Sequence, residues 1–296
     1  MYICKPALDD NMSQKKATLS SKKTLFLIFT LALATFSLLR WDISPWLSTQ
    51  IQQAAKQAGV NLQYESMAVS GFGIVFQQLH ISQADKQSIK LEKVEANLAW
   101  NTLLSGEIGA NIEALWQTNP VSFTVIQQGD SLHINDIDAV VDISRIPAQF
   151  MNQIPASISG VIQAQGDIRI NPSSQQLEAG NLNITWNQAK VGLTQPKFTL
   201  GDYHIKIYSD EKNDGQHNKP WHWDISGGSG VALKGNGTLS PQHPDPKRWV
   251  VDGLMNVKVD QTNPSLAMMM QSMMGTTEAS LRISGTLGKP RTEIVR

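Results

Sequence analysis

The sequence predicts a mainly β protein, with one N-terminal transmembrane helix followed by a curved antiparallel, groove-like sheet carrying a few short covering helices. Three observations predict it. One apolar run, TLFLIFTLALATFSLL from Thr24 to Leu39, approaches the length of a membrane span. From Asn61 onward apolar residues recur with period two, as in Val94, Ala96, Leu98 and Trp100, or Ile162, Ala164, Gly166, Ile168 and Ile170. Turn signals such as Gly129-Asp130, Asn171-Pro172 and Gly180-Asn181 then divide the alternating segments into a meander of hairpins.

The apolar run comes first. As a helix it would be about 24 Å long, somewhat short of a hydrocarbon core of about 30 Å. Lys23 and Arg40 can snorkel to close the gap, and Trp41 and Trp46 suit the interfacial zone. Ahead of it Lys5, Lys15, Lys16, Lys22 and Lys23 outweigh Asp9 and Asp10, which holds the N-terminus in the cytoplasm. Ala32-Leu33-Ala34 resembles a signal-peptide cleavage site, but Phe36, Leu38 and Leu39 continue the run beyond it without a polar region before it. The expected organisation is a cytoplasmic tail (1–23), an uncleaved anchor (24–41) and an exported domain (42–296) with a soft internal boundary near 155. In a two-membrane bacterium this is a single-pass inner-membrane protein with a periplasmic domain.

Helical signals after the anchor are few. In ISPWLSTQIQQAAKQAG, Ser44 caps, Pro45 starts and Gly59 ends a helix whose Trp46, Leu47, Ile51, Ala54, Ala55 and Ala58 share one side. A second helix is expected around Ile146 to Ile154. The third, SLAMMMQSMMG (265–275), holds five of the ten methionines; Asn263, Pro264 and Gly275 bracket it, and Leu266, Met269, Met270 and Met273 fall on one face. Thioethers are soft ligands suited to Cu(I), but no Cys accompanies them and the nearest His in sequence, His243, lies in another loop. Packing over a curved sheet is the expected role of this flexible side chain.

Three stretches share a local pattern: VIQAQGDIRI at 161, VALKGNGTLS at 231 and SLRISGTLGK at 280, each alternating up to a Gly followed two residues later by Ile or Leu. Their unequal spacing marks weak internal likeness and no repeat array. SDEKNDGQHNKP (209–220) reads as a polar loop. Trp221 and Trp223, two apart, face the same way on a strand, as core or interface.

Composition excludes several functions. Twenty-five basic and 25 acidic residues cancel, so neither nucleic acid nor an anionic surface is an expected partner. Cys4 is the only cysteine, which rules out a disulfide within the chain. The spacings HExxH, GxSxG, the P-loop and CxxC are all missing, and His217, His222 and His243 match no known ligand set. No enzyme, cofactor or metal is expected.

At VEANLAWNTLLSGEIGANI (94–112) the sequence resembles the protein N family of the bacterial type II secretion system, with Leu98, Trp100, Leu103, Leu104, Gly106 and Ile108 in the places of a strand ending in Trp, a turn with paired Leu and Gly, and a second strand. GNLNITWNQAKVGL, with Trp186, Ala189 and Val191, and PKFTLGDYHIKI, with Leu200, Gly201 and Tyr203, resemble the later half of that family. So does the closing helix and strand SLAMMMQSMMGTTEASLRISGTL, with Gly285. The cytoplasmic tail is longer than the family pattern, and 209–220 reads as an insertion. The resemblance implies an inner-membrane subunit that helps assemble or steady a machine exporting folded proteins from the periplasm, with the other secretion subunits as partners and no catalytic residues. In the turn, Leu103 and Leu104 are expected to fold under the sheet edge while Gly106 reverses the chain.

A different class is the alternative: a periplasmic lipid-handling protein resembling the AsmA-like and lipopolysaccharide-bridge families, with lipid held in the groove. A scaffold requires only a filled or short groove, whereas a lipid carrier requires a continuous apolar channel.

Overall fold

The computed structural model describes residue 30 and residues 44–295, apart from 58, 84–87, 147–156, 175, 193–196, 211–219, 242, 244 and 261–263. The expected anchor lies outside the described residues except for helical Thr30, as does nearly all of the helix expected at Ile146 to Ile154. Among the described residues no helix is long and apolar enough to cross a membrane. The chain divides into two compact units, Met1–Ala54 and Ala55–Arg296. Helix α1 (Ser44–Gln57) runs where the capping and alanine pattern places it; Thr49 Oγ1 donates to the Pro45 carbonyl at 3.0 Å, and none of its residues is buried.

Fifteen strands follow in one antiparallel sheet. They are β1 (Val60–Gln63), β2 (Ser66–Ser70), β3 (Gly73–Gln83), β4 (Ile89–Leu98), β5 (Ile108–Trp116), β6 (Asn119–Gln128), β7 (Ser131–Asp142) and β8 (Ser157–Asn171). After these come β9 (Gln176–Gly192), β10 (Phe198–Tyr208), β11 (Trp221–Gly227), β12 (Val231–Ser240), β13 (Val250–Val259), β14 (Glu278–Thr286) and β15 (Lys289–Val295). From β3 to β15 each strand pairs with the next in sequence, while β1 and β2 both lie along β3. Two-residue turns at 71–72, 117–118, 129–130 and 287–288 join neighbouring strands as hairpins, while longer connections, some carrying helices, return the chain to the adjacent position elsewhere. The hairpin at Gly129-Asp130 joins β6 to β7 as the sequence indicates, and Pro172–Ser174 turns β8 into β9. The soft boundary expected near 155 falls within 147–156, outside the described residues; the strands on either side, β7 and β8, pair directly from Leu132↔Ile170 to Asp142↔Val161.

Two readings of the sequence require correction. Gly180-Asn181 is no turn but lies inside the 17-residue β9, paired with Ile168 and Asp167. The glycine is there for space, since a Cβ at 180 would stand 2.8 Å from Cη2 of Trp221. Trp100 does not end a strand: β4 stops at Leu98, and Trp100 opens helix α2 (Trp100–Leu104). Thr102 fixes that turn, its hydroxyl donating to the Ala99 carbonyl at 2.7 Å while its side chain packs against Gly109 of β5.

Two buried clusters sit on one face of the sheet near its rims, and further buried residues lie at Phe76, Leu79 and Val94 on β3 and β4 and at Ala189 and Tyr203 on β9 and β10. Helix α3 (Pro264–Met274) lays Leu266 and Met270 on Val259, Ala279 and Leu281, each burial contributing roughly 1.5–3 kcal/mol. Met268 points away and is 69% exposed; the side chains of Met269 and Met273 lie outside the described residues. At the other rim Trp221, Leu239 and Val251 form a buried cluster with Leu177, Trp249 and Ile283 against it. Beside this cluster Trp223 covers Gly237 of β12, where a Cβ would come 2.7 Å from the indole nitrogen.

Candidate functional site

The register aligns one apolar residue from every strand between β2 and β15 into a single row. Met67, Phe76, Val94, Ala114, Val121, Ala139 and Ala164 are successive partners across β2 to β8. Ile184, Ile205, Ile225, Gly235, Met255, Leu281 and Ile294 continue it across β9 to β15. At about 4.8 Å per strand the row is roughly 60 Å long. It carries no charged or hydrogen-bonding side chain. Among the described residues, α3 covers this face at one rim and the tryptophan cluster at the other, with no second sheet across the middle.

The opposite face is polar. Thr185, His204, Ser226, Lys234, Asn256 and Ser280 lie in one register row, and with Asn183, Lys206, Asp224 and Asn236 they line an open depression of about 740 Å³. Several of these groups satisfy one another: Ser280 Oγ donates to Asn256 Oδ1 at 2.7 Å, and the Lys206 ammonium stands 5.0 Å from the Tyr208 ring centroid. The neighbouring Asp224 carboxylate pushes the Tyr208 phenol up from its ordinary range. Asp210 approaches His222 at 3.4 Å, but no cluster of three metal-ligating side chains occurs among the described residues. His217 and the rest of 211–219 lie outside them.

The residues of the resemblance fall into two groups, with Gly285 apart from both. Trp186 and Gly201 meet on β9 and β10 at a double register shift, where Gly201 pairs with Ala189 and Tyr203 with Trp186. Gly201 has a φ of +108°, open to glycine and strained for other residues, and a Cβ there would collide with the backbone nitrogen of Ser229. The bulge is held by the Gln188 amide, which donates to Asp202 Oδ1 at 2.6 Å. It seats the Tyr203 ring 5.9 Å from that of Trp186, with its hydroxyl donating to the Val231 carbonyl at 2.7 Å. Tyr203 is 1% exposed, and burial pushes its phenol up to about 12. Gly285 stands apart, near the hairpin that joins β14 to β15.

The second place is the rim at the β2–β3 turn and α2. Leu98 ends β4 half-buried, paired with Ala110, and Gly106, at a φ of +82°, closes the turn. The two leucines do not fold under the edge. Leu103 is partly exposed and Leu104 is 92% exposed, because the five-residue helix turns Thr102 inward and its following residues out. Trp100 is 52% exposed and meets Phe72 edge to face at 4.6 Å between centroids; Ile108 beside them is 69% exposed. Phe72 was not singled out in the sequence, since one aromatic in a Gly-flanked turn carries no period. Phe72 and Trp100 pack on each other, and all five apolar side chains, close together in the chain around the β2–β3 turn and α2, stand exposed among the described residues. No family profile, curated protein or solved structure matches the chain.

Proposed function

We propose that this chain is a non-enzymatic subunit of the bacterial type II secretion machinery, anchored in the inner membrane by residues 24–41, with its sheet in the periplasm. There it assembles with or steadies other subunits that export folded proteins. The observation that carries the reading is the rim patch: Trp100, Leu103 and Leu104, residues of the family resemblance, are spent on neither core nor sheet. An exposed aromatic and leucine cluster of this kind supports a docking role, since tryptophan anchors dominate interface energetics. The test is Trp100→Ala with Leu104→Asp in the full chain. The variant should keep its melting temperature but lose co-purification with its secretion partners and leave folded substrates in the periplasm. Normal secretion both with this variant and on deletion of the gene would overturn the reading.

A second reading rests on a separate observation, the apolar row, which is buried at Phe76, Val94 and Leu281 and partly or fully exposed at its other positions. An unbroken hydrocarbon-compatible track, flanked by rim plugs, favours a protein that shields acyl chains, the lipid-handling alternative. Mass spectrometry of an organic extract of the gently purified full chain should then find stoichiometric lipid. Deletion should disturb the lipid asymmetry of the outer membrane while leaving secretion intact. A lipid-free protein excludes it.

A further inference from the structure

Among the described residues β15 pairs only with β14, and all seven of its residues are exposed. Such an edge presents unpaired backbone donors and acceptors to any strand that fits. Its side chains narrow the choice. Read as KPRTEIV, the strand becomes charge-complementary to itself when reversed about Thr292: Arg291 faces Glu293 of a second copy, and Glu293 faces that copy's Arg291. The same register sets Pro290 against Ile294 on the apolar side and Thr292 against Thr292. Moving the centre to Arg291 or to Glu293 would set like charges directly opposite each other, which destabilises an antiparallel pair.

We propose that β15 is a self-association edge, pairing antiparallel with β15 of a second copy about a two-fold axis through Thr292. Neither Arg291 nor Glu293 has an ion-pair partner among the described residues, so both charges are available. On its inner side Glu293 is opposite Arg282, itself 3.3 Å from Asp252, so the junction continues an alternation of charge that already crosses β13 to β15. Pro290 lacks an N–H and removes at most one ladder bond per copy. The axis of an antiparallel pair is perpendicular to the sheet, so equivalent faces stay on the same side. Ile294, which ends the apolar row of one copy, then faces Pro290 of the other, so the two rows end on the same face but four residues apart along the seam. The charges that discourage pairing with unrelated strands are those that select a second copy.

Sedimentation velocity on the full chain in detergent, across a range of protein concentration, tests this. The wild type should dimerise. Arg291→Glu and Glu293→Arg should each move dimerisation to at least tenfold higher concentration, and the double reversal should restore it to within about threefold. That rescue cannot come from misfolding. In a Cys4→Ser background, Thr292→Cys should cross-link under oxidation, because opposed Cα atoms in an antiparallel pair lie about 4.5–5.5 Å apart, within disulfide reach. Lys289→Cys, opposite Val295, should not. A protein that stays monomeric throughout, a dimer indifferent to the single reversals, or a double reversal that fails to recover it would each overturn the proposal.

Discussion

Tyr203 and Trp223 show how single positions hold this sheet without a deep core. The folded state keeps the Tyr203 phenol protonated up to about pH 12, against about 10 for an exposed tyrosine. Because the folded pKa is the raised one, its contribution is complete below pH 10 and is lost as pH climbs from 10 to 12. Chemical denaturation across that window should find the wild type losing about 2 kcal/mol relative to Tyr203→Phe. At pH 7 the Phe variant should be weaker by about 0.5–1.5 kcal/mol through its missing bond to Val231. Gly237→Ala should cost about 1–3 kcal/mol in urea unfolding, since the new methyl must displace the Trp223 indole or the strand beneath it. The common orientation of Trp221 and Trp223 was legible from their spacing. The glycine beneath Trp223 was not, because a glycine in a strand reads equally as a bulge, and only register shows which ring lies over it.

Helix α3 was legible as an element because Pro264 and Gly275 bracket an apolar stretch of several turns, and its covering role follows from Leu266 and Met270. Packing predicts graded outcomes along it. Met270→Ala should cost about 2–5 kcal/mol and Met270→Leu less than about 1.5, while Met268→Ala, on the outer side, should fall within about 0.5 kcal/mol, all read from denaturant midpoints. The purified full chain should bind no stoichiometric copper; tight copper binding abolished by leucine at the methionines would defeat the packing account. Helix α2 was illegible for the opposite reason. Five residues hold too little periodicity to mark a helix, and the turn depends on Thr102 reaching the Ala99 carbonyl and on space left by Gly109 in the next strand. A local reading of paired leucines therefore buried them, whereas the structure turns them outward.

At the scale of the molecule, alternation over many short segments was enough to give the antiparallel meander. It does not distinguish an open sheet from a two-layered sandwich, since both show one apolar and one polar side per strand. The openness had to come from the structure. With few exceptions each strand touches only its sequence neighbours, so stability is distributed nearly in one dimension. Hydrogen exchange should accordingly be slowest in β8 and β9, the two longest strands with partners on both sides, and fastest in the exposed β15. Equal protection throughout would show a single cooperative unit instead. The pairing order also bears on how the sheet is made. A chain released progressively, from a ribosome or a translocation pore, needs no distant later segment to finish an early strand. Once β3 has closed on β1 and β2, every emerging strand finds its template already laid down. Synthesis can proceed as knitting does, row upon row, with only the newest edge awaiting its partner.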